Sequence, residues 1–156
     1  MAFWDGYLYF AFNDRITAHK IPLFSSKNVP NASEIISERP EFTLKPSPTQ
    51  VASFTSKMGL ASNSQVRKEI NHIRAGLLDG KPVIVAVGEL GMIFAWDLMQ
   101  LPRAGSEIPA HRIFYAPKLE STWGIAFNTQ SSLLFVSSNA HTVNAFDYQS
   151  GECLFS

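Results

Sequence analysis

Cysteine is nearly absent from this chain: Cys153 is the only one in 156 residues. A lone thiol makes neither an internal disulfide nor a Cys-rich zinc site. The expectation is a reducing compartment. An excess of one charge is missing too, since thirteen basic residues balance thirteen acidic ones. Proteins that hold nucleic acid through its phosphates carry a basic surplus, so no direct nucleic-acid partner is expected. No run approaches the ~20 apolar residues of a membrane helix. The start, Met1-Ala2-Phe3-Trp4-Asp5-Gly6, lacks the basic and apolar regions of a signal peptide. No membrane is expected, and the location is read as intracellular, in the nucleus, the cytoplasm or both.

Catalytic signatures are equally scarce. There is no Walker loop, Gly-x-Gly-x-x-Gly, His-Glu-x-x-His or Gly-x-Ser-x-Gly. Val87-Gly88-Glu89-Leu90-Gly91 has only two glycines and lies between apolar runs, so it reads as a hairpin turn. His19, His72, His111 and His141 share no short metal-ligand spacing. No catalytic residue, cofactor or metal is therefore expected, and the chain is not read as an enzyme.

Aromatic residues are plentiful, with twelve Phe, four Tyr and three Trp. Such side chains suit pleated, half-buried surfaces. They fall into a recurring pattern. Val83-Ile84-Val85-Ala86-Val87, the turn Gly88 to Gly91, and Met92-Ile93-Phe94-Ala95-Trp96-Asp97 read as a β-hairpin. The same shape recurs over residues 133–147, ending Val143-Asn144-Ala145-Phe146-Asp147. Ile93 then matches Val143, Ala95 matches Ala145, Trp96 matches Phe146, and Asp97 matches Asp147, at an offset of 50 residues. A third copy spans residues 7–20, where Ile16, Ala18, His19 and Lys20 take those places.

A further strand precedes each hairpin, over residues 2–4, 73–78 and 123–127. A fourth follows in two units, at 112–115 and 153–155. Four short strands per unit, with a Trp-Asp pair closing the third, is the pattern of a β-propeller blade, whose usual period is ~40–45 residues. The expected fold is all-β: a partial WD-repeat-like β-propeller over residues 1–156. Its blade-like units cover about 1–22, 67–116 and 121–156. Residues 23–66, rich in Pro and Ser, are expected to form an irregular insertion, with a short helical turn near residues 32–38. Three blades fall short of the ~4–8 in closed forms. The expectation is thus a piece of a longer protein, with open sheet edges that favour self-association.

The residues singled out are structural repeat positions: Trp96, Asp97, Phe146, Asp147, His72 and Trp123. In regular WD repeats the indole N–H joins a relay through a turn Asp and a His. Here the turn position falls on Leu90 in one unit and Ala140 in the other, so packing is expected to replace the relay. Asp97 and Asp147 sit in different units and are expected to cap turns, not to share a proton. Glu89, Asn139 and His141 fall at loop tips. Cys153, in an apolar strand, is read as packing.

Asn71-His72-Ile73-Arg74-Ala75-Gly76, Trp96-Asp97, Thr122-Trp123-Gly124-Ile125-Ala126 and Leu134-Phe135-Val136-Ser137-Ser138-Asn139-Ala140-His141-Thr142-Val143 resemble the fungal WD-repeat family called "constitutive RNR transcription" proteins. The resemblance covers roughly residues 67–148. It implies regulation of ribonucleotide reductase genes, a place in the DNA damage response, and work as a substrate adaptor of a cullin ubiquitin ligase. The partners implied are other proteins: a cullin-ligase linker or transcription regulators. The first functional reading is accordingly a protein-interaction scaffold. Two alternatives stand beside it. One is a propeller hydrolase, which needs polar groups on inner strands that are apolar here apart from Arg74. The other is a truncated product without independent function.

Overall fold

In the computed structural model, residues 1–21, 39–60, 69–99 and 105–156 are described. Thirteen strands and one α-helix occur among them. The first sheet holds β1 (Ala2–Trp4), β2 (Tyr7–Phe12), β3 (Arg15–Lys20), β4 (Phe42–Leu44) and β8 (Ser106–Ile108), in that order. The second holds β5 (Ile70–Leu78), β6 (Lys81–Gly88), β7 (Met92–Asp97) and β9 (Arg112–Tyr115). The third holds β10 (Thr122–Phe127), β11 (Leu133–Ser138), β12 (Thr142–Asp147) and β13 (Cys153–Phe155). Every pairing is antiparallel except β4 with β8. A mostly β chain in three such sheets is compatible with WD-like blades.

The alternation of side chains along each strand decides what is buried. Ile84, Ala86 and Trp96 turn one face of the second sheet toward Tyr9, Ile16 and Ala18 of the first. Val83, Val85, Val87, Ile93 and Ala95 turn the opposite face toward Ile125, Leu134, Val136 and Phe146 of the third. The second sheet is therefore apolar on both sides and nearly every residue of β6 and β7 is buried. That is why Val83 to Val87 reads as a continuous apolar run and not as an alternation.

The expected irregular insertion is corrected on two counts. It carries β4, the fourth strand of the first sheet, paired with β3 through Ile16–Leu44 and Ala18–Phe42. It also carries α1 (Pro48–Lys57). Ser47 caps this helix: its Oγ accepts the Gln50 N–H at 3.2 Å, and Gln50 Oε1 accepts the Ser47 N–H at 2.8 Å. Pro48 opens the first turn, where its missing N–H costs nothing. Phe54, fully buried, stacks on Tyr115 at 5.5 Å, and Lys57 lies over the same ring. Gln50 Nε2 reaches the Ala110 carbonyl at 2.6 Å. The helix thereby pins the first sheet to the second. The helical turn expected near residues 32–38 lies outside the described residues.

A second difference concerns the connection after β7. It contains β8, which crosses back and joins the first sheet beside β4. The first sheet thus has five strands, where the sequence marks three, over residues 2–4, 7–12 and 15–20. Three residues, Ser106, Glu107 and Ile108, are too few for their pattern to be read from sequence.

Candidate functional site

The junction between the second and third sheets is held by side chains of β5. Asn71 Nδ2 donates to the Thr122 carbonyl at 3.2 Å. His72 Nδ1 lies 2.7 Å from the Trp123 carbonyl; a carbonyl only accepts, so Nδ1 carries the proton. Arg74 Nη1 donates to the Ile125 carbonyl at 2.9 Å. Each pair is 51 residues apart. A constant offset means that β5 and β10 run side by side in the same direction.

Thr122 closes this seam from inside. It is fully buried. Its Oγ1 donates to the Gly88 carbonyl at 2.8 Å and accepts the Gly88 N–H at 3.1 Å. Glu89 adds a bridge, accepting from Asn71 Nδ2 at 3.2 Å and from Ser121 Oγ at 2.6 Å. Backbone groups of the β6–β7 turn and of β10 are thus paired across the two sheets, as buried polar groups must be.

Trp123 projects from this fixed seam and is 49% exposed, whereas Trp96 is wholly buried. The next residue explains the local chain path. A Cβ on Gly124 would stand 2.5 Å from Ser137 Oγ, the atom that accepts the Gly124 N–H at 2.9 Å. The Trp-Gly pair therefore combines an outward indole with a backbone N–H whose bond to Ser137 a Cβ would displace. The sequence singled out His72 and Trp123 separately as repeat positions. The structure brings them together, ring against carbonyl, on the outer face of one seam.

The other singled-out residues lie elsewhere. Trp96 donates its indole N–H to the Ile108 carbonyl at 3.0 Å. The expected replacement of the relay by packing is therefore incomplete: β8 supplies an acceptor that no turn residue provides. Phe146 is fully buried and meets Phe114 edge-on at 5.6 Å. Asp97 Oδ1 accepts the Met99 N–H at 2.9 Å. Asp147 Oδ1 accepts the N–H groups of Gln149 and Ser150 at 2.9 and 2.7 Å, and Oδ2 accepts from Ser132 at 2.7 Å. The Ser150 N–H, then the Ser132 hydroxyl, hold its carboxyl below the usual carboxylate range. Each aspartate caps its own turn, on separate sheets.

At the opposite end of the seam lies a groove of about 410 Å³, lined among others by Asp79, Lys81, Asp97, His111, Arg112 and Tyr148. Its charges are mixed. Arg112 Nη1 donates to the Gln149 carbonyl at 2.6 Å, and the guanidinium Cζ lies 5.1 Å from the centre of the Tyr148 ring. Burial of that ring pushes the Tyr148 hydroxyl up to about 12. Cys153 is partly buried against the second core, which raises its thiol. Among the described residues no group of three His, Cys, Asp or Glu side chains stands where it could hold a metal ion. No described helix is long and apolar enough to cross a membrane.

Three mostly antiparallel sheets, two of them joined by hydrogen bonds from β5 side chains to β10 carbonyls, are compatible with WD-like blades. Comparison with known proteins points the same way. The chain is similar to a WD40 repeat-containing protein of Dictyostelium discoideum, at 35% identity over 78 residues. That match takes in 50% of this chain and spans 11% of the relative's length. No protein-family model matches the chain.

Proposed function

We propose that this chain is a protein-interaction scaffold of the WD-repeat type, not an enzyme, and that its three sheets serve as propeller blades. The observation that carries the reading is Trp123. A half-exposed tryptophan is held on a rigid seam by its neighbours' hydrogen bonds, and its own bulk makes no core. Exposed, pre-ordered aromatics of this sort dominate protein interfaces. The similarity to a WD40 repeat-containing protein supports the same class. Fold alone does not define a partner. The finer reading, regulation of ribonucleotide reductase genes and adaptor work with a cullin ligase, rests on the resemblance of residues 67–148.

Affinity purification of the tagged chain from its own cells, with a parallel Trp123→Ala variant, tests this. Wild type is expected to recover specific proteins. The variant should bind the principal one about thirtyfold more weakly, the effect of losing a ~2 kcal/mol contact, at an unchanged melting temperature. Recovery of a cullin linker or transcription regulators supports the finer reading. Chaperones alone, or equal binding by both proteins, overturns the scaffold assignment at this surface.

A further inference from the structure

The two junctions between sheets are built on matched residues. Ile70 of β5 pairs with Gly88, and Thr122 of β10 pairs with Ser138. Gly88 and Ser138 stand 50 residues apart, the offset of the repeat, and the register slips just after each pair. Ile70 is therefore the counterpart of Thr122. Thr122 closes its junction with two hydroxyl bonds to Gly88. Asn144, the counterpart of Phe94, is buried on the same side of β12 as Phe146. Polar side chains thus occupy the junction of the second and third sheets. Ile70 has no hydroxyl, and a cavity of about 110 Å³ opens beside it, between the first and second sheets.

Val51, Ile70, Met92 and Phe94 supply the apolar lining of this cavity. Helix α1 is held off from filling it, since Gln50 and Phe54, on either side of Val51, are tied to Ala110 and Tyr115. Asp14 and Lys45 stand at its edge, the only charged side chains among the described lining residues. Asp14 is shared by two cations, Lys45 at 3.2 Å and Arg15 at 3.1 Å. This corner thus keeps one positive charge in excess. The Lys45 ammonium also has N–H donors beyond the one turned to Asp14. The cavity is too small for a cofactor, whose sites run to ~300–1,000 Å³. An apolar cavity of about 150 Å³ holds benzene, so this one suits a single aliphatic side chain.

We propose that this cavity is a socket for one leucine-sized side chain of a partner protein, from a segment whose neighbouring residue is acidic and pairs with Lys45. The apolar lining takes the side chain, and the excess positive charge selects its neighbour. A basic neighbour would meet Lys45 and Arg15 as like charges. The hydroxyl of Thr122 and the amide of Asn144 deny the matching place at the other junction to such a guest. The socket presupposes a protein partner, as the scaffold reading does, but it lies at a different junction from Trp123, so Trp123→Ala should leave it intact.

Titration of the isotope-labelled chain with the blocked dipeptide acetyl-Leu-Glu-amide, followed by NMR, tests it. Saturable shifts are expected at Val51, Ile70, Met92 and Phe94, with a dissociation constant of about 1 mM, the affinity of so small a ligand. Acetyl-Leu-Gln-amide should bind about threefold more weakly, the size of an exposed ion pair, and acetyl-Leu-Lys-amide more weakly still. Lys45→Gln should erase the difference between Glu and Gln. Val51→Phe should fill the socket and abolish binding. If that variant fails to fold, Val51→Ile, one methyl group larger, should weaken binding. Trp123→Ala should bind the dipeptide as wild type does. The absence of saturable shifts at these residues overturns the proposal. So does equal binding of all the peptides, binding of free leucine but of no blocked dipeptide, or loss of binding in Trp123→Ala.

Discussion

Strands β7 and β12 carry one pattern at two places, yet Ile93 is fully buried and its counterpart Val143 is 54% exposed. Trp96 and Phe146, the next matched pair, are both fully buried. The hairpin fixes which way each side chain points, and the neighbouring sheet decides whether it is covered. Ile93 points at the third sheet, while Val143 points away from all of the described sheets' cores. The pair Trp96 and Phe146 differs in another way. The chain after β7, residues 98–111, is long enough to send β8 back across the first sheet, and β8 gives the indole its acceptor. The chain after β12, residues 148–152, is a tight turn capped by Asp147. A ring without an N–H suits that place. Tryptophan goes with the long connection and phenylalanine with the short one.

Removing the buried members breaks the comparison most severely. Trp96→Ala should cost about 3–5 kcal/mol, the range for deleting a large aromatic from a core. It also removes one of two donors to the Ile108 carbonyl, which keeps the Lys45 N–H at 2.9 Å. Urea unfolding checks it. A midpoint near wild type would mean that β8 does not depend on the indole. The matched pair gives a sharper contrast. Ile93→Ala should cost about 2–5 kcal/mol, whereas Val143→Ala at low protein concentration should stay within about 0.5 kcal/mol. Equal losses at both sites would show that Val143 is covered to the same extent as Ile93.

The same comparison shows what the sequence discloses. All eleven strands expected from alternation and turn residues are present, because each has apolar residues on at least one face and all but β9 have a Gly, Asn or Asp turn beside them. Asp5, Asn13 and Asp79 sit at positive φ in those turns, as short polar residues tolerate. β4 and β8 escaped notice: three residues each, they are specified by partners far along the chain and not by a local period. The helix was missed for a different reason. Its signal, Ser47-Pro48-Thr49-Gln50, is a capping box with proline in the first turn, and it lay inside a stretch dismissed for its proline and serine content. Of the seam, Trp123 and His72 were visible as repeat positions. Their pairing, and the burial of Thr122, depend on β5 and β10 lying parallel, a relation no local pattern encodes. Leu90 and His141 hold positive φ at matching turns; histidine is among the residue types that tolerate it, whereas leucine gives no such signal.

A smaller effect is expected at the seam than in either core. Thr122→Val keeps the shape of the side chain and removes only its hydroxyl. The Gly88 N–H and carbonyl then lose a partner in a buried place, at a cost of about 1–3 kcal/mol. The loss should be local to the second and third sheets. Hydrogen exchange should therefore quicken at Gly88 and along β10 before it does at β2 and β3. Uniform quickening across all three sheets would mean that the stack opens as one unit, and that the seam is no weaker than the helix-pinned junction on the other side.

The smallest effect separates the two turn-capping aspartates. Asp147 receives three hydrogen bonds and Asp97 one side-chain bond from Met99. Those bonds favour the charged carboxylate of Asp147, so its folded pKa lies below the unfolded value of 3.8. A group depressed in this way adds stability above its unfolded pKa and loses it as the pH falls through the folded one. The contribution is present at neutral pH and disappears below 3.8. Because the turn is open to water, the loss is small. Asp147→Asn should lower the melting temperature slightly at pH 7 and leave it equal to wild type in strong acid, where both side chains are neutral. The two melting curves should converge between those limits as acid is added. A difference that persists unchanged at low pH would assign the role of Asp147 to the shape of the turn and not to its charge.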